Sequence, residues 1–348
     1  MGAVKPARPG AEISMTTKIA LIGAGSIGRV HARNIQAHPG AELATVCDLN
    51  PESAGALCAE HGGTASNSLK EALELDPDGV IIASSTASHG QVAMACIESG
   101  KPFLCEKPLA SDLHTARQIA SHAEAVGVMA AIAFNRRFDA GYSGIHKAIR
   151  AGYIGQVEAL LITSRTASPP SVEFTRTSGG LFGEKGAHFY DLARWITGED
   201  PIELFAMGSA LINPEFATIG EVDTAMISMR MPSGALCQFD FSWRTAYGQD
   251  ERLEVNGSHG MLSTFQEPVG RYRRNTADGE SQEGLMPTWY QRFAPTYQKE
   301  LDLFVAAIRS GEASGLPSLS DGCEAQMIAD AAKQSVATGK PIQLSDLV

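Results

Sequence analysis

The stretch "KIALIGAGSIGRVHARNI", Lys18 to Ile35, decides how the rest of the chain is read. A short β-rich run passes directly into three glycines, Gly23, Gly25 and Gly28, in G-x-G-x-x-G register, and then into a helical segment. The first glycine permits a tight turn, the second lets backbone approach a pyrophosphate, and the third lets helix and strand pack closely. Peptide N–H groups at the start of the helix, from Ser26 and Ile27 onward, then face the phosphates. Asp48 ends the next β-rich run, at the distance where a carboxylate takes the ribose hydroxyls. The "LNPES" that follows has no Lys or Arg to hold a 2′-phosphate, and Asp48 would repel one, so NAD is expected rather than NADP. The plain alternatives are a packing turn for the glycines and a helix cap for Asp48, a role that Asn50-Pro51 already fills.

Outward from this loop, "KIALIG", "ELATVCD", "GVIIAS", "PFLCE" and "VMAAIAF" read as strands buried on both faces, separated by segments of crossover-helix length. That rhythm predicts a doubly wound parallel sheet, an NAD-binding Rossmann domain over 18–136, behind a flexible extension over 1–17 in which Met15 is an alternative start. After Asn135 the rhythm changes. A helix at "AGYSGIHKAIRAG", a strand at "QVEALLITSR" and a Pro-rich loop at "ASPPSVEF" lead to a helix across "SGGLFGEKGAHFYDLARW", Ser178 to Trp195. Longer alternating strands follow at "IELFAMGSALI", "DTAMISMRM", "ALCQFDFSWR" and "RLEVNGSHGML", then helices from Pro295 to Ser310 and Asp321 to Thr338. The expectation for 137–348 is an α+β domain with a large, mainly antiparallel sheet; the polar "RYRRNTADGESQEG" reads as an exposed loop.

At 348 residues, 44% of them hydrophobic, the chain can bury two cores. A formal net charge of −11 argues against a nucleic-acid partner, which needs clustered Lys and Arg, and no apolar run is long enough for a membrane span. The six scattered cysteines lack a C-x-x-C, so they read as reduced core residues of a cytoplasmic protein, not as zinc ligands. The expected partners are a small molecule and further copies of the chain.

With the dinucleotide site in place, "GKPFLCEKPLA", downstream of a T-x-x-H segment from Thr86 to His89, resembles the Gfo/Idh/MocA family of NAD(P)-dependent oxidoreductases, and the likeness runs from Lys18 nearly to the C-terminus. The resemblance implies a Rossmann domain joined to an open-faced domain, assembly as homodimer or homotetramer, and contacts to the cofactor from Ser84, Thr86, His89, Glu106 and Lys107. Three further segments, "FNRRFDAGY", "TSRTASPPSVEFTRTSGGLF" and "WRTAYGQDERLEVNGSHGML", resemble the branch of the family that oxidises inositol. The activity implied is oxidation of a cyclic polyol to a ketone. A sugar dehydrogenase or keto-sugar reductase of the same family, and a noncatalytic dinucleotide sensor, are the rival readings.

Oxidising a secondary alcohol requires a hydride acceptor, a group that removes the hydroxyl proton, and donors that fix the carbon. Pro108 biases Lys107 toward extended backbone at a strand's C-terminal end, where open α/β sheets bind ligands. By spacing alone Lys107 is a surface lysine in a turn; the resemblance makes it a catalytic proton relay. His188 is the natural general base. Glu184 four residues before it and Asp191 three after share its helical face and offer a carboxylate to orient the ring, although periodicity alone leaves a packed or solvated histidine equally open. The resemblance joins Lys107, Glu184 and His188 in one catalytic set, with two departures: relatives carry Asp where Glu184 stands, and the inositol branch carries hydrophobic residues where Lys185-Gly186 stands.

Asn135 and Arg136 match family positions facing cofactor and substrate, and Arg136 carries donors suited to adjacent hydroxyls, while Arg137 can pair with Asp139. Asp191 either touches a substrate hydroxyl or stabilises its helix. Tyr247 and Asp250 are substrate candidates or parts of a structural turn, and Trp195 is expected to anchor its helix in the core. No metal is required by this chemistry.

Overall fold

The structure is a computed structural model that describes residues 16–266, 268–270 and 272–347. All but the last two residues of the expected N-terminal extension lie outside the described residues.

The N-terminal part alternates β1 (Thr17–Ile22), α1 (Ser26–Ala37), β2 (Ala41–Cys47), α2 (Pro51–His61), β3 (Thr64–Ser66), α3 (Leu69–Glu74), β4 (Gly79–Ile82), α4 (Thr86–Glu98), β5 (Phe103–Glu106), α5 (Leu113–Val126) and β6 (Ala130–Ala133). The strands form a parallel sheet in the order β3-β2-β1-β4-β5-β6. Because side chains alternate along a strand, one set (Ala20, Ile22, Val80, Ile82, Phe103, Cys105, Ile132) packs on α4 and α5. The other (Ile19, Leu21, Leu43, Ile81, Leu104, Ala131) packs on α1 and α2. Burial on both faces is why these strands read as continuous apolar runs. β3 has no such run and was not visible in the sequence.

The second part comprises a 3-10 turn at Asn135–Phe138, α6 (Ala140–Arg150), β7 (Val157–Arg165), α7 (Val172–Ser178), a π-helical turn at Leu181–Gly186 and α8 (Ala187–Thr197). It continues with β8 (Glu203–Ser209), α9 (Glu215–Thr218), β9 (Thr224–Arg230), β10 (Leu236–Ser242), β11 (Asp250–Gly257), β12 (Gly260–Ser263), β13 (Arg273–Thr276), β14 (Gly279–Gln282), α10 (Trp289–Ser310), α11 (Leu319–Thr338) and β15 (Ile342–Gln343). The large sheet runs β12-β11-β7-β10-β9-β8-β15. Only β7 and β10 pair in parallel; the other neighbours are antiparallel. Its inner face (Leu160, Ile162, Ile227, Phe239, Phe241, Leu253) packs on Phe189 and Tyr190 of α8 and on Met327 and Ile328 of α11. The outer face leaves Leu161, Phe205, Met207, Met226 and Leu236 exposed.

Five readings of the sequence need correction. The helix expected across Ser178–Trp195 is broken: Gly179 and Gly180 take φ of +90° and +68°, ending α7, and the chain re-enters helix through the π turn. A Cβ on Gly180 would lie 1.8 Å from the Glu221 carboxylate and displace it, and the positive φ strains any larger residue there. α7 itself begins inside the expected Pro-rich loop, because the Ser171 hydroxyl caps it by accepting from the Phe174 N–H. "RLEVNGSHGML" folds back as the β11–β12 hairpin, and the polar loop after it pairs as β13–β14 around Asp278-Gly279, a hairpin signal that outranked its polarity. Finally α10 begins at Trp289, with Pro295 inside it, and sends Leu301, Phe304 and Val305 against Ile19, Leu21 and Ile81. A layer of the cofactor domain's core therefore comes from well beyond residue 136.

Candidate active site

At the cofactor end each glycine has its own steric reason. Gly23 has φ +108° and an added Cβ would sit 2.4 Å from the Ala83 carbonyl oxygen; one on Gly28 would sit 2.2 Å from that of Gly23. A Cβ on Gly25 would meet nothing within 4 Å, which leaves open the side from which a phosphate approaches. α1 has no side-chain cap and no acidic residue in its first turn, so the Ser26 and Ile27 amides are left for an anion. Asp48 accepts from the Ala24 N–H at 2.7 Å and from the Asn50 N–H at 2.8 Å, which fixes its carboxylate beside the glycine loop with lone pairs left for ribose hydroxyls. These residues fit NAD.

The remaining expected cofactor contacts divide. Thr86 opens α4, and the Ser84 hydroxyl bonds that of Ser88 at 2.7 Å. His89 does not face outward; its ring spans the Pro108 and Ser84 carbonyls at 2.7 and 3.1 Å and ties the ends of β4 and β5 together. Glu106 is turned beneath α1, bonded to Nε2 of buried His31 at 2.9 Å, so it braces the glycine-loop helix from below. Glu300 of α10 is fully buried near it, neither carboxylate oxygen bonded among the described residues, and burial beside Glu106 pushes its carboxyl well above the usual range.

Lys107 projects past the end of β5, and its Nζ lies 2.7 Å from Glu184 Oε1 and 3.0 Å from the Glu184 carbonyl oxygen. The π turn lets the carboxylate and the carbonyl of one residue reach one ammonium. Glu184 thus orients Lys107, not the imidazole of His188 as its helical spacing had suggested. His188 lies at the start of α8, its ring edge-on to Phe134 at 6.0 Å between centroids, its Nδ1 buried without a partner among the described residues. Burial, with Arg136 and Lys107 adding to it, holds the imidazole well below its ordinary pKa, so it rests neutral.

The expected substrate residues are placed differently. Asn135 and Arg136 are buried: Asn135 donates to Thr296 Oγ1 at 2.9 Å, and Arg136 bonds Glu251 at 3.2 Å and lies 3.4 Å over the Phe293 ring. Asp191 is wholly buried and takes both arms of Arg137, at 2.8 and 2.5 Å, so it holds its helix and offers no oxygen to a substrate. Arg137 reaches Asp321 as well; Asp139, its expected partner, instead caps α6 and pairs with Arg292. Tyr247 donates to Asp250 at 2.9 Å, and Asp250 pairs in register with Arg165, on the opposite face of the sheet from Glu251, Ser164 and the helices. Tyr247 therefore lies on the outer face, away from Lys107. Trp195 is partly buried and stacks on His146 at 3.8 Å. Lys185, set aside in the sequence as a departure from relatives, is buried under the site; Glu251 carried no sequence signal beyond its strand parity.

A parallel sheet with a glycine loop fitted to NAD, and a lysine, a carboxylate and a neutral imidazole grouped at the C-terminal ends of its strands, define an NAD-dependent oxidoreductase. Comparison with known proteins makes this more specific. Residues 17–134 match the oxidoreductase family's NAD-binding Rossmann fold, and 142–263 match the GFO/IDH/MocA C-terminal domain. The chain belongs to the Gfo/Idh/MocA family. It is 33% identical to an inositol 2-dehydrogenase of Rhizobium meliloti over 95% of this chain and 100% of that protein. It is 34% identical to a myo-inositol 2-dehydrogenase of Thermotoga maritima over 95% and 99%. A myo-inositol dehydrogenase structure from Corynebacterium glutamicum superposes with a TM-score of 0.90 at 32% identity, covering 95% of this chain and 99% of that one.

Proposed function

We propose that the chain oxidises one ring secondary alcohol of a cyclic polyol, an inositol such as myo-inositol, to the ketone, an inosose. The observation that carries this reading is the Lys107–Glu184 pair set beside a neutral, buried His188 at the strand ends. When bound, NAD supplies the acceptor for the hydride that leaves the ring carbon.

The residues of the chain manage the proton. An ammonium has three N–H donors. Two on Lys107 go to the carboxylate and carbonyl of Glu184, which aims the third at the alcohol oxygen. His188, held neutral, takes the hydroxyl proton as it leaves. Glu184, presented by the π turn, fixes Lys107 in place.

The relatives named for inositol dehydrogenation support the substrate class. NAD reduction measured across inositol isomers beside aldoses tests it: turnover with at least one inositol is expected, and turnover confined to aldoses would move the assignment to a sugar dehydrogenase. A second copy of the chain is the proposed occupant of the outer sheet face, where Leu161, Phe205, Met207, Met226 and Leu236 are exposed side by side on adjacent strands. Sedimentation at micromolar concentration is expected to give a dimer or tetramer, and a Met226→Lys, Leu236→Lys variant to shift it toward monomer.

A further inference from the structure

Lys185 of the π turn reaches through to the large sheet. Its Nζ donates to the carbonyl of Ser242 at the end of β10, at 2.9 Å, and to that of Ser164 near the end of β7, at 3.2 Å. These are the two strands that pair in parallel. The side chain is buried, and among the described residues it makes no ion pair. The carboxylates whose charge acts on it are already engaged: Glu251 of β11 by Arg136 and by Gln249 at 2.5 Å, and Asp240 of β10 by Arg165 of β7. A neutral amine has two N–H donors and an ammonium has three. Two carbonyl acceptors and no counter-ion match the neutral form.

Resting on the dehydrogenase reading above, we propose that Lys185 is a positioning residue that works as the neutral amine, clamping the π turn and with it Glu184 to the sheet. Protonation adds a donor with no acceptor and a charge with no partner. The ammonium then draws on Glu251, which frees Arg136 from its place beside Asn135 and disturbs the alignment of Glu184 on Lys107. Burial brings the Lys185 pKa down from 10.5 to about 7, with Glu251 and Asp240 opposing the shift and Arg136 adding to it. The change of state therefore falls near neutral pH, on the alkaline side of the titration of His188.

The test uses the full chain with NAD bound. Lys185→Gln keeps two N–H donors and cannot titrate, whereas Lys185→Arg is always charged. Wild-type kcat is expected to fall about tenfold from about pH 8 to about pH 6, a loss of alignment and not of binding. Lys185→Gln is expected to lose that limb, and Lys185→Arg to run about tenfold slower at about pH 8 with KM little moved. Carbon-13 NMR of ε-labelled lysine is expected to show a resonance titrating near pH 7 that Lys185→Gln removes. A Lys185→Gln profile that still falls near pH 7, or the lack of any lysine titrating there, overturns the proposal. If wild type reduces NAD with no inositol, the substrate reading fails while the NMR titration still decides the state of Lys185.

Discussion

The cofactor end and the substrate end of this molecule are built by different means. Around the glycine loop the work is done by backbone: three glycines whose missing side chains leave room, free amides at the start of α1, and one carboxylate, Asp48, held by the N–H groups of Ala24 in the loop and of nearby Asn50. Around Lys107 it is done by side chains that meet only in space: Glu184 on the π turn held to Lys107, Arg136 on the 3-10 turn held to Glu251 on β11, and His188 on α8 packed among them. The first region is set by close backbone approaches within one short loop and its neighbouring strand ends. The second is a chain of mutual constraints, where one change passes to the next residue.

Substitutions can separate the two regions. Lys107→Met should lower kcat by about 10³-fold, the magnitude for losing a positioned proton-handling group, while NAD affinity from fluorescence titration stays within about twofold. Equal losses in both would mean that the ends are not separable. Arg137→Met should cost about 3 kcal/mol of unfolding free energy, since it leaves Asp191 buried without its charge partner; urea denaturation reads this, and a loss below about 1 kcal/mol would refute a supporting role. Asp48→Ala should raise the NAD dissociation constant by about ten- to a hundredfold, the worth of hydrogen bonds to a charged group, with a smaller effect on turnover at saturating cofactor.

The smallest expected effect is a slope. In the folded protein His188 holds its proton far less well than in the unfolded chain, so stability is full above the unfolded value of 6.5 and declines as pH falls below it, where only the unfolded chain gains the proton. Melting temperature should fall from about pH 6.5 to about pH 5, and less steeply in His188→Gln; parallel slopes would show that this imidazole is not the buried neutral group described above.

The sequence was legible where structure is locally encoded. The G-x-G-x-x-G register, Asp48 and the apolar strand runs report backbone needs and two-sided burial, and both are written in consecutive residues. The residues of the catalytic set were also legible, but their partnerships were not. Helical spacing assigned Glu184 to His188; the π turn, which follows two glycines in the left-handed region, gave it to Lys107. Tyr247 and Asp191 were legible as polar residues in the right segments, yet strand parity put one on the far face and a buried arginine claimed the other. Such outcomes depend on which elements meet in space, and single-chain periodicity does not carry that information.

The contribution of α10 to the cofactor domain bears on how the chain reaches this state. Leu301, Phe304 and Val305 cover the sheet beside Ile19 and Ile81, and a Cβ on Gly79 would strike Ile308 at 2.4 Å. During synthesis β1 and β4 emerge more than two hundred residues ahead of the helix that covers them. The nascent Rossmann sheet must wait with that apolar strip bare, so the last fifth of the chain is where folding commits and where a truncated product would aggregate.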